Sequence, residues 1–172
     1  MARPPSDAEF IELVHASWPT LYRTAYLMLG DRGLAEDLVQ TALAKTYASW
    51  GKVRDLGAAR GYARTTMVNT ATSWFRKKGW RNERPTEEFE DHPYDNDPSV
   101  RPAVMHALAQ LPPRQRAVVV LRFYDDLPVA ETAKALGCAE GTVKSQTSDA
   151  LATLRILLGE TVVPLESGAT HD

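Results

Sequence analysis

Apolar side chains recur at three- and four-residue steps along most of the chain, and this spacing restricts the fold more than any other feature. An α-helix has 3.6 residues per turn, so residues at such steps share one face of the helix. No long alternation of apolar and polar residues, the pattern typical of half-buried strands, is present. The sequence therefore predicts an all-α protein. The first helical run contains Phe10, Leu13, Val14, Leu21, Ala25 and Leu29.

Prolines and glycines divide this periodicity into separate helices. Pro19 is expected to begin a new turn or to kink the first helical stretch, because proline lacks the backbone N–H donor. Gly30-Asp31 is a stop signal, and a second helix then runs to about Trp50-Gly51. A third helix is predicted over residues 58–78, and further helices over 117–124, 129–136 and 140–158.

Residues 85–104 differ in composition from the rest of the chain. They contain four prolines and six acidic residues, with little periodic apolar content. Such a segment favours an extended linker between two small helical domains. The predicted organisation is a first domain over 1–84, an acidic linker over 85–104, a second domain over 105–158 and a flexible tail over 159–172.

The charge is unevenly distributed along the chain. Residues 1–84 carry 13 basic and 8 acidic side chains, whereas the linker is net negative and residues 105–172 carry 6 bases and 8 acids. Within the first domain, residues 54–84 hold eight bases against two acids. This density indicates a polyanionic partner, although a solvated helix face enriched in Lys and Arg would have the same composition.

Residues 127–151 have the pattern of a helix-turn-helix. The first helix ends at Gly137, where a left-handed turn residue fits, and the small Ala133 allows the two helices to cross closely. The opposite side of the second helix carries short polar side chains, which suit a helix that reads the major groove of DNA. An ordinary pair of antiparallel helices is the alternative. The predicted outward face contains Thr142, Lys144, Ser145, Ser148, Asp149 and Ala152.

Several classes of protein are disfavoured. The only cysteine is Cys138, so the chain can form no intrachain disulfide, and no apolar run is long enough to cross a bilayer. With no secretory leader either, the predicted location is the cytoplasm, without membrane attachment. The four histidines are scattered and no phosphate-binding glycine loop is present, so we expect no catalytic residue, cofactor or metal. A receiver-type regulator and a purely protein-binding module are the remaining alternatives.

Four sequence stretches occur in the order seen in bacterial RNA polymerase sigma factors and resemble those of the extracytoplasmic-function group. Their residues are most similar in type to the SigE-type subgroup. They are residues 35–43 (AEDLVQTAL), 62–69 (YARTTMVN) followed by WFRK, 111–116 (LPPRQR) and 141–145 (GTVKS). Each is moderately specific, but four in order with an acidic linker between them form a strong signal. The resemblance covers about residues 9–158.

The resemblance implies a function and a set of contacts. It implies a protein that directs core RNA polymerase to specific promoters, helps to open the −10 element, and binds the clamp region of the largest subunit and the flap region of the second largest. Glu36, Asp37, Gln40 and Thr41 are expected to contact the clamp, although alone they could form a surface salt-bridge face. Arg64, Asn69, Arg76, Lys77 and Lys78 are expected to bind the −10 element. Thr142, Lys144, Ser145, Ser148 and Asp149 are expected to read the −35 element.

Some positions depart from the family pattern. Asp149 stands where relatives often carry Arg, Ser73 stands where Asp is frequent, and Ala139 replaces a Ser that would cap the reader helix. These changes affect particular contacts, not the domain assignment. Trp74 and Phe75 are expected in the core rather than as base-stacking platforms, because they continue the apolar stripe. Whether an anti-sigma factor binds this chain stays open.

Overall fold

The computed structural model describes residues 3–77 and 102–159, and within these ranges the chain forms helices and turns without a strand. None of the helices in the described ranges combines the length and apolar character needed to cross a membrane. Short 3₁₀ turns at Trp50–Lys52 and Leu56–Ala58 join α2 to α3, and a π-helical turn at Val120–Tyr124 extends α5. The α-helices are α1 (Asp7–Leu29), α2 (Arg32–Ala48), α3 (Ala59–Lys77), α4 (Pro102–Ala109), α5 (Pro113–Val119), α6 (Val129–Leu136) and α7 (Glu140–Leu158).

The ends of α1 and α2 are fixed by local side chains. The Ser6 hydroxyl accepts a hydrogen bond from the Glu9 N–H, and the Glu9 carboxylate accepts one from the Ser6 N–H, so two otherwise unpaired donors are satisfied. Gly30 ends α1 with a φ of 71°, which is the left-handed conformation predicted for a helix stop. Asp31 then caps α2 by accepting a hydrogen bond from the Leu34 N–H.

Helix α1 does not begin a new turn at Pro19 but continues through it as one 23-residue helix. That expectation is therefore wrong, and the alternative of a kink at Pro19 stays a prediction. Proline removes the N–H that would bond to the His15 carbonyl. Both His15 and Pro19 lie on the exposed side of α1, where water can satisfy that carbonyl. The carbonyl of Ala16, the residue after His15, accepts a hydrogen bond of 2.8 Å from the Arg60 guanidinium. This contact joins that part of α1 to α3.

The buried apolar residues of α1–α3 and α4–α7 form one continuous cluster. It includes the fully buried Leu38 and Met67 in the first group of helices and Leu121 and Val143 in the second. The two predicted domains therefore pack against each other and share a core. Helix α4 begins at Pro102, three residues before the predicted start of the second domain, and most of the predicted linker lies outside the described residues. The boundaries thus stay a prediction.

Candidate functional site

Helix α2 presents a polar face opposite its buried side. Glu36, Asp37 and Gln40 are exposed and Thr41 is half-buried, and their spacing places all four along one side of the helix. The other side of α2 is buried against α1 and α3 through Ala35, Leu38, Val39 and Ala42. The structure thus brings together the four residues that were expected to contact the polymerase.

Helix α3 carries a row of three exposed polar or aromatic residues at seven-residue intervals. Tyr62, Asn69 and Arg76 are all exposed, and each is turned by only about 20° from the previous one. At 1.5 Å per residue the row is roughly 21 Å long. Lys77 is also exposed, on an adjacent side, whereas Lys78 lies outside the described residues. The row combines an aromatic ring, an amide and a guanidinium, which are groups that stack on bases, hydrogen-bond to bases and pair with phosphates.

Arg64 does not belong to this row. It lies more than about 100° around α3 from Asn69 and is half-buried. Its side of the helix faces α6, where Arg64 lines a cavity of about 520 Å³ together with Glu131 and Lys134. The sequence grouped Arg64 with Asn69 because both lie in one basic stretch. Their helical spacing already places them on different sides of α3, and the packing of α6 on α3 leaves Arg64 half-buried.

An open cavity of about 460 Å³ lies at the N-terminal end of the row. The ring of Tyr62, which is 44% exposed, lines it together with the turns that connect α2 to α3. The basic side chains of Lys52 and Arg54 stand at the same cavity. The sequence analysis named none of Tyr62, Lys52 and Arg54 as an individual −10 contact, although Tyr62 opens the stretch that resembles the −10 segment and Arg54 begins the basic stretch. The signal that could have found Tyr62 is its position seven residues before Asn69, on the same side of α3.

The aromatic pair on α3 behaves largely as predicted. Phe75 is buried at 5% exposure and belongs to the main core cluster, and Trp74 is half-buried and packs against the same cluster. Neither residue lies in the exposed row. The expectation that they contribute to the core rather than to a stacking platform is confirmed.

Helices α6 and α7 form the predicted helix-turn-helix. Gly137 ends α6 with a φ of 67°, and the Cys138 N–H donates a hydrogen bond of 3.0 Å to the Ala133 carbonyl, which closes the turn. Ala133 is buried between the helices, as its small size predicts. The buried side of α7 contains Val143 and Leu151, so it is held against the core along most of its length.

The outward face of α7 is the predicted one. Lys144, Ser145, Ser148 and Asp149 are exposed and Thr142 is half-buried. The Ser145 hydroxyl donates to the carbonyl of Thr142 at 3.2 Å, which orients its oxygen and leaves acceptor capacity. All five candidate residues therefore lie on the solvent side of one helix whose opposite side is buried.

The start of α7 lacks a side-chain cap. Its N-cap is Ala139, which has no hydroxyl to accept from the first N–H groups of the helix. The open N–H groups give this end a partial positive charge, which favours a phosphate nearby. The predicted loss of a capping interaction at Ala139 is confirmed.

Comparison with protein families gives two matches that follow each other along the chain. Residues 13–81 match Sigma-70 region 2, and residues 101–154 match Sigma-70, region 4. The first match contains the polar face of α2 and the row on α3. The second contains the helix-turn-helix up to the last turn of α7.

Similar proteins cover most of the chain. RNA polymerase sigma-E factor from Streptomyces coelicolor is 42% identical over 150 residues, which are 86% of this chain and 84% of that protein. ECF RNA polymerase sigma factor SigM from Mycobacterium tuberculosis is 34% identical over 154 residues, covering 87% of this chain and 77% of that one.

A solved structure is similar across both groups of helices. The sigma factor RpoE from Bartonella quintana, crystallised with the anti-sigma factor NepR, aligns with a TM-score of 0.67 and 27% identity over 87% of this chain and 96% of that chain. Family matches, relatives and fold agree with the order of the four sequence stretches. The chain belongs to the extracytoplasmic-function group of RNA polymerase sigma factors.

Proposed function

We propose that this chain directs core RNA polymerase to specific promoters by reading the −35 element with α7 and by holding the opened −10 element on α3. The observation that carries the proposal is the two-sided α7, with Val143 and Leu151 buried behind it and short polar side chains exposed in front. A helix of this kind can enter the major groove without exposing its apolar side.

The −35 contacts divide into two kinds by chemistry. Ser145 and Ser148 have short hydroxyls that can donate to or accept from base edges, so they would contribute to sequence choice. The Lys144 ammonium would pair with a phosphate or a guanine edge, and Thr142 lies near the N-terminal end of α7, where a phosphate is favoured. Asp149 would either lie beside a phosphate or accept a hydrogen bond from cytosine N4.

The −10 contacts would follow the row on α3. At roughly 21 Å, the row is long enough to contact several nucleotides of one strand. Tyr62 and its cavity would hold an unstacked base, Asn69 would contact a base edge, and Arg76, Lys77 and Lys78 would hold phosphates. Arg64 was also expected to bind the −10 element. It is half-buried beside α6, so it would reach DNA only after the two domains separate.

The polymerase contacts would lie on α2 and in the second domain. Glu36, Asp37, Gln40 and Thr41 form an exposed acidic and polar face that suits a basic surface on the clamp region of the largest subunit. The second domain would bind the flap region of the second largest subunit. An anti-sigma factor is a further proposed partner, since the similar RpoE was crystallised with one.

Sigma factors in general are not enzymes, and we propose that this chain likewise acts by binding alone, without a cofactor or metal, in the cytoplasm. The test is reconstituted transcription with purified core polymerase and a library of promoter sequences. We expect the full-length chain to co-purify with core polymerase and to select a subset of promoters. Failure to bind core polymerase, or transcription without any promoter preference, would contradict the proposal.

A further inference from the structure

A small second core supports the turns that connect α2 to α3. Leu13, Trp50 and Ala59 form this buried apolar cluster, which is separate from the main core, and Phe10 and Val53 pack against it. Val53 and Ala59 also line the cavity of about 460 Å³ at the N-terminal end of the row on α3. Two apolar side chains of the cavity wall therefore belong to the second core.

Trp50 is the largest side chain of the second core, and both its ring and its nitrogen are held. It is 3% exposed, and its ring meets the Phe10 ring edge-on, with the centroids 5.2 Å apart. The indole N–H donates a hydrogen bond of 2.8 Å to the carbonyl of Ser6. A buried indole N–H needs such a partner, because leaving it unpaired costs free energy. The contact therefore joins the turn at Trp50–Lys52 to the start of α1.

The Ser6 carbonyl is itself fixed by the cap of α1. It accepts a backbone hydrogen bond of 3.1 Å from the Phe10 N–H. The reciprocal bonds between Ser6 and Glu9 hold the φ and ψ of Ser6 at −83° and 164°. A carbonyl oxygen has two lone pairs, so it can accept from Phe10 and from Trp50 together. The N-cap of α1 thus offers Trp50 an acceptor in a defined position.

The turn that begins at Trp50 leads directly into the cavity. The Trp50 carbonyl accepts a hydrogen bond of 3.1 Å from the Val53 N–H, which closes this turn. The Asp55 side chain accepts one of 2.9 Å from the Gly57 N–H, which fixes the next turn. Val53 and Asp55 line the cavity opposite the helix that carries Tyr62. A displacement of Trp50 would therefore move Val53 relative to the Tyr62 ring.

We propose that Trp50 is a positioning residue for the −10 element, which through its hydrogen bond to Ser6 sets the shape of the cavity beside Tyr62 and so the base that the cavity accepts. The proposal rests on the proposed function, in which this cavity holds an unstacked base. Trp50 is buried and acts through the turns, not on DNA. A site discriminates well only when its walls are held in place by supporting side chains. Loosening the turns should therefore reduce base preference at one −10 position.

The test begins with Trp50→Phe in the full-length chain, assembled with core polymerase. Phenylalanine keeps an aromatic ring in the second core but cannot donate to Ser6. Trp18→Phe is the matched control, because Trp18 is a half-buried tryptophan of the same domain that packs against the main core. Tyr62→Ala serves as the reference, since it shows which base position the cavity reads.

Base preference is measured by transcription from promoters in which each −10 position is changed in turn. Tyr62→Ala should lose preference at one position. Trp50→Phe should lose about two- to ten-fold of the preference at that same position, as expected for one hydrogen bond, with little change elsewhere. The double variant should lose no more than Tyr62→Ala alone, because both residues act on one cavity. Trp18→Phe should leave the preference at every position unchanged.

A second variant reaches the same contact from α1. Ser6→Ala removes the cap that fixes the Ser6 carbonyl, and it should reduce preference at the same −10 position by a smaller factor than Trp50→Phe. Asp31→Ala is its control, because it removes the equivalent cap of α2 at a helix start that packs against the main core. This control should leave the preference at every position unchanged.

Two results would overturn the role of Trp50 alone. One is unchanged preference at the position read by Tyr62 in both Trp50→Phe and Ser6→Ala, with an intact circular dichroism spectrum. The other is an equal loss at every −10 position, which a purely structural role of Trp50 would produce. If Tyr62→Ala itself changes preference at no position, the proposed function of the cavity fails and the positioning role fails with it. The two failures are therefore distinguishable.

Discussion

The first domain is built largely from locally defined helices, whereas the second relies on packing. Helices α1, α2 and α3 have 23, 17 and 19 residues, and Ser6 and Asp31 cap the first two. Helices α4, α5 and α6 have 8, 7 and 8 residues, and neither Pro112 nor Pro128 provides a side-chain cap for α5 or α6. Helices this short are not stable alone in water. The second domain therefore owes the arrangement of α4–α6 to its core, whereas α7, with 19 residues, is as long as α3.

The largest effect on stability is expected when a core side chain is removed from each domain, and it tests whether the two domains depend on one core. Leu121→Ala and Leu38→Ala each delete a fully buried leucine, and we expect each to cost about 2–5 kcal/mol. Because the core cluster is continuous, both variants should unfold in urea in one transition by circular dichroism. A Leu121→Ala chain that keeps the helical signal of the first domain through a plateau would show that the domains are stable independently.

The next largest effect is expected on the reader helix. Loss of a good base contact costs about 1–3 kcal/mol for the preferred sequence, whereas loss of a phosphate contact weakens all sequences alike. Ser145→Ala and Ser148→Ala should therefore change −35 preference, and Lys144→Ala should weaken all promoters. The measurement is transcription from promoter variants with reconstituted holoenzyme. Ala48→Ser, at an exposed position at the end of α2, is the control. Unchanged promoter choice and strength across the three test variants would remove α7 from recognition.

Substitutions at the helix N-caps should change stability by a smaller amount, and the change should have opposite signs in the two domains. Ser6→Ala removes a working cap and Ala139→Ser installs one, so we expect stability to fall and rise respectively by about 1 kcal/mol. Ala130→Ser, at an exposed position inside α6, is the control for a new hydroxyl. Thermal unfolding measures all three. A neutral result for Ala139→Ser would show that packing, not capping, fixes the start of α7.

The cap of α1 also predicts a pH dependence. Hydrogen bonding to the Ser6 N–H lowers the pKa of Glu9, so its ionised form is favoured in the folded chain. That contribution is present above the ordinary pKa of glutamate and is lost as the pH falls through the lowered value. The difference in melting temperature between the wild-type chain and Glu9→Gln should therefore shrink in acid. A constant difference across this range would contradict the role of the Glu9 carboxylate.

The smallest effect is expected at Asp149. Its carboxylate is exposed, so replacing it by arginine should strengthen promoter binding by less than about 1 kcal/mol if it lies beside phosphate. Little change in base preference should accompany this gain. If Asp149 accepts from cytosine instead, Asp149→Arg should weaken the native promoter and favour another base there. Glu140→Arg, at the exposed first turn of α7, separates a general charge effect from a local one.

The sequence by itself determined the helical class, the stop at Gly30, the helix-turn-helix around Gly137 and the outward face of α7. These features follow from periodicity and from turn chemistry, which are local properties that neighbouring residues specify. The row of Tyr62, Asn69 and Arg76 was only half predicted. The seven-residue spacing of the row follows from the sequence. The exposure of Tyr62 and the cavity beside it depend on the turns that pack around them.

Only the tertiary structure decided how the domains meet. Nothing local distinguishes Arg116 from the other bases. Charge patterning grouped Arg64 with Arg76 by position in the chain, although helical spacing places them on different sides of α3. Arg116 becomes a buried contact because α5 reaches the end of α1, and Arg64 is half-buried because α6 packs on its side of α3. Contacts between residues 89 and 101 positions apart depend on how the helices pack together, which no short stretch of sequence specifies.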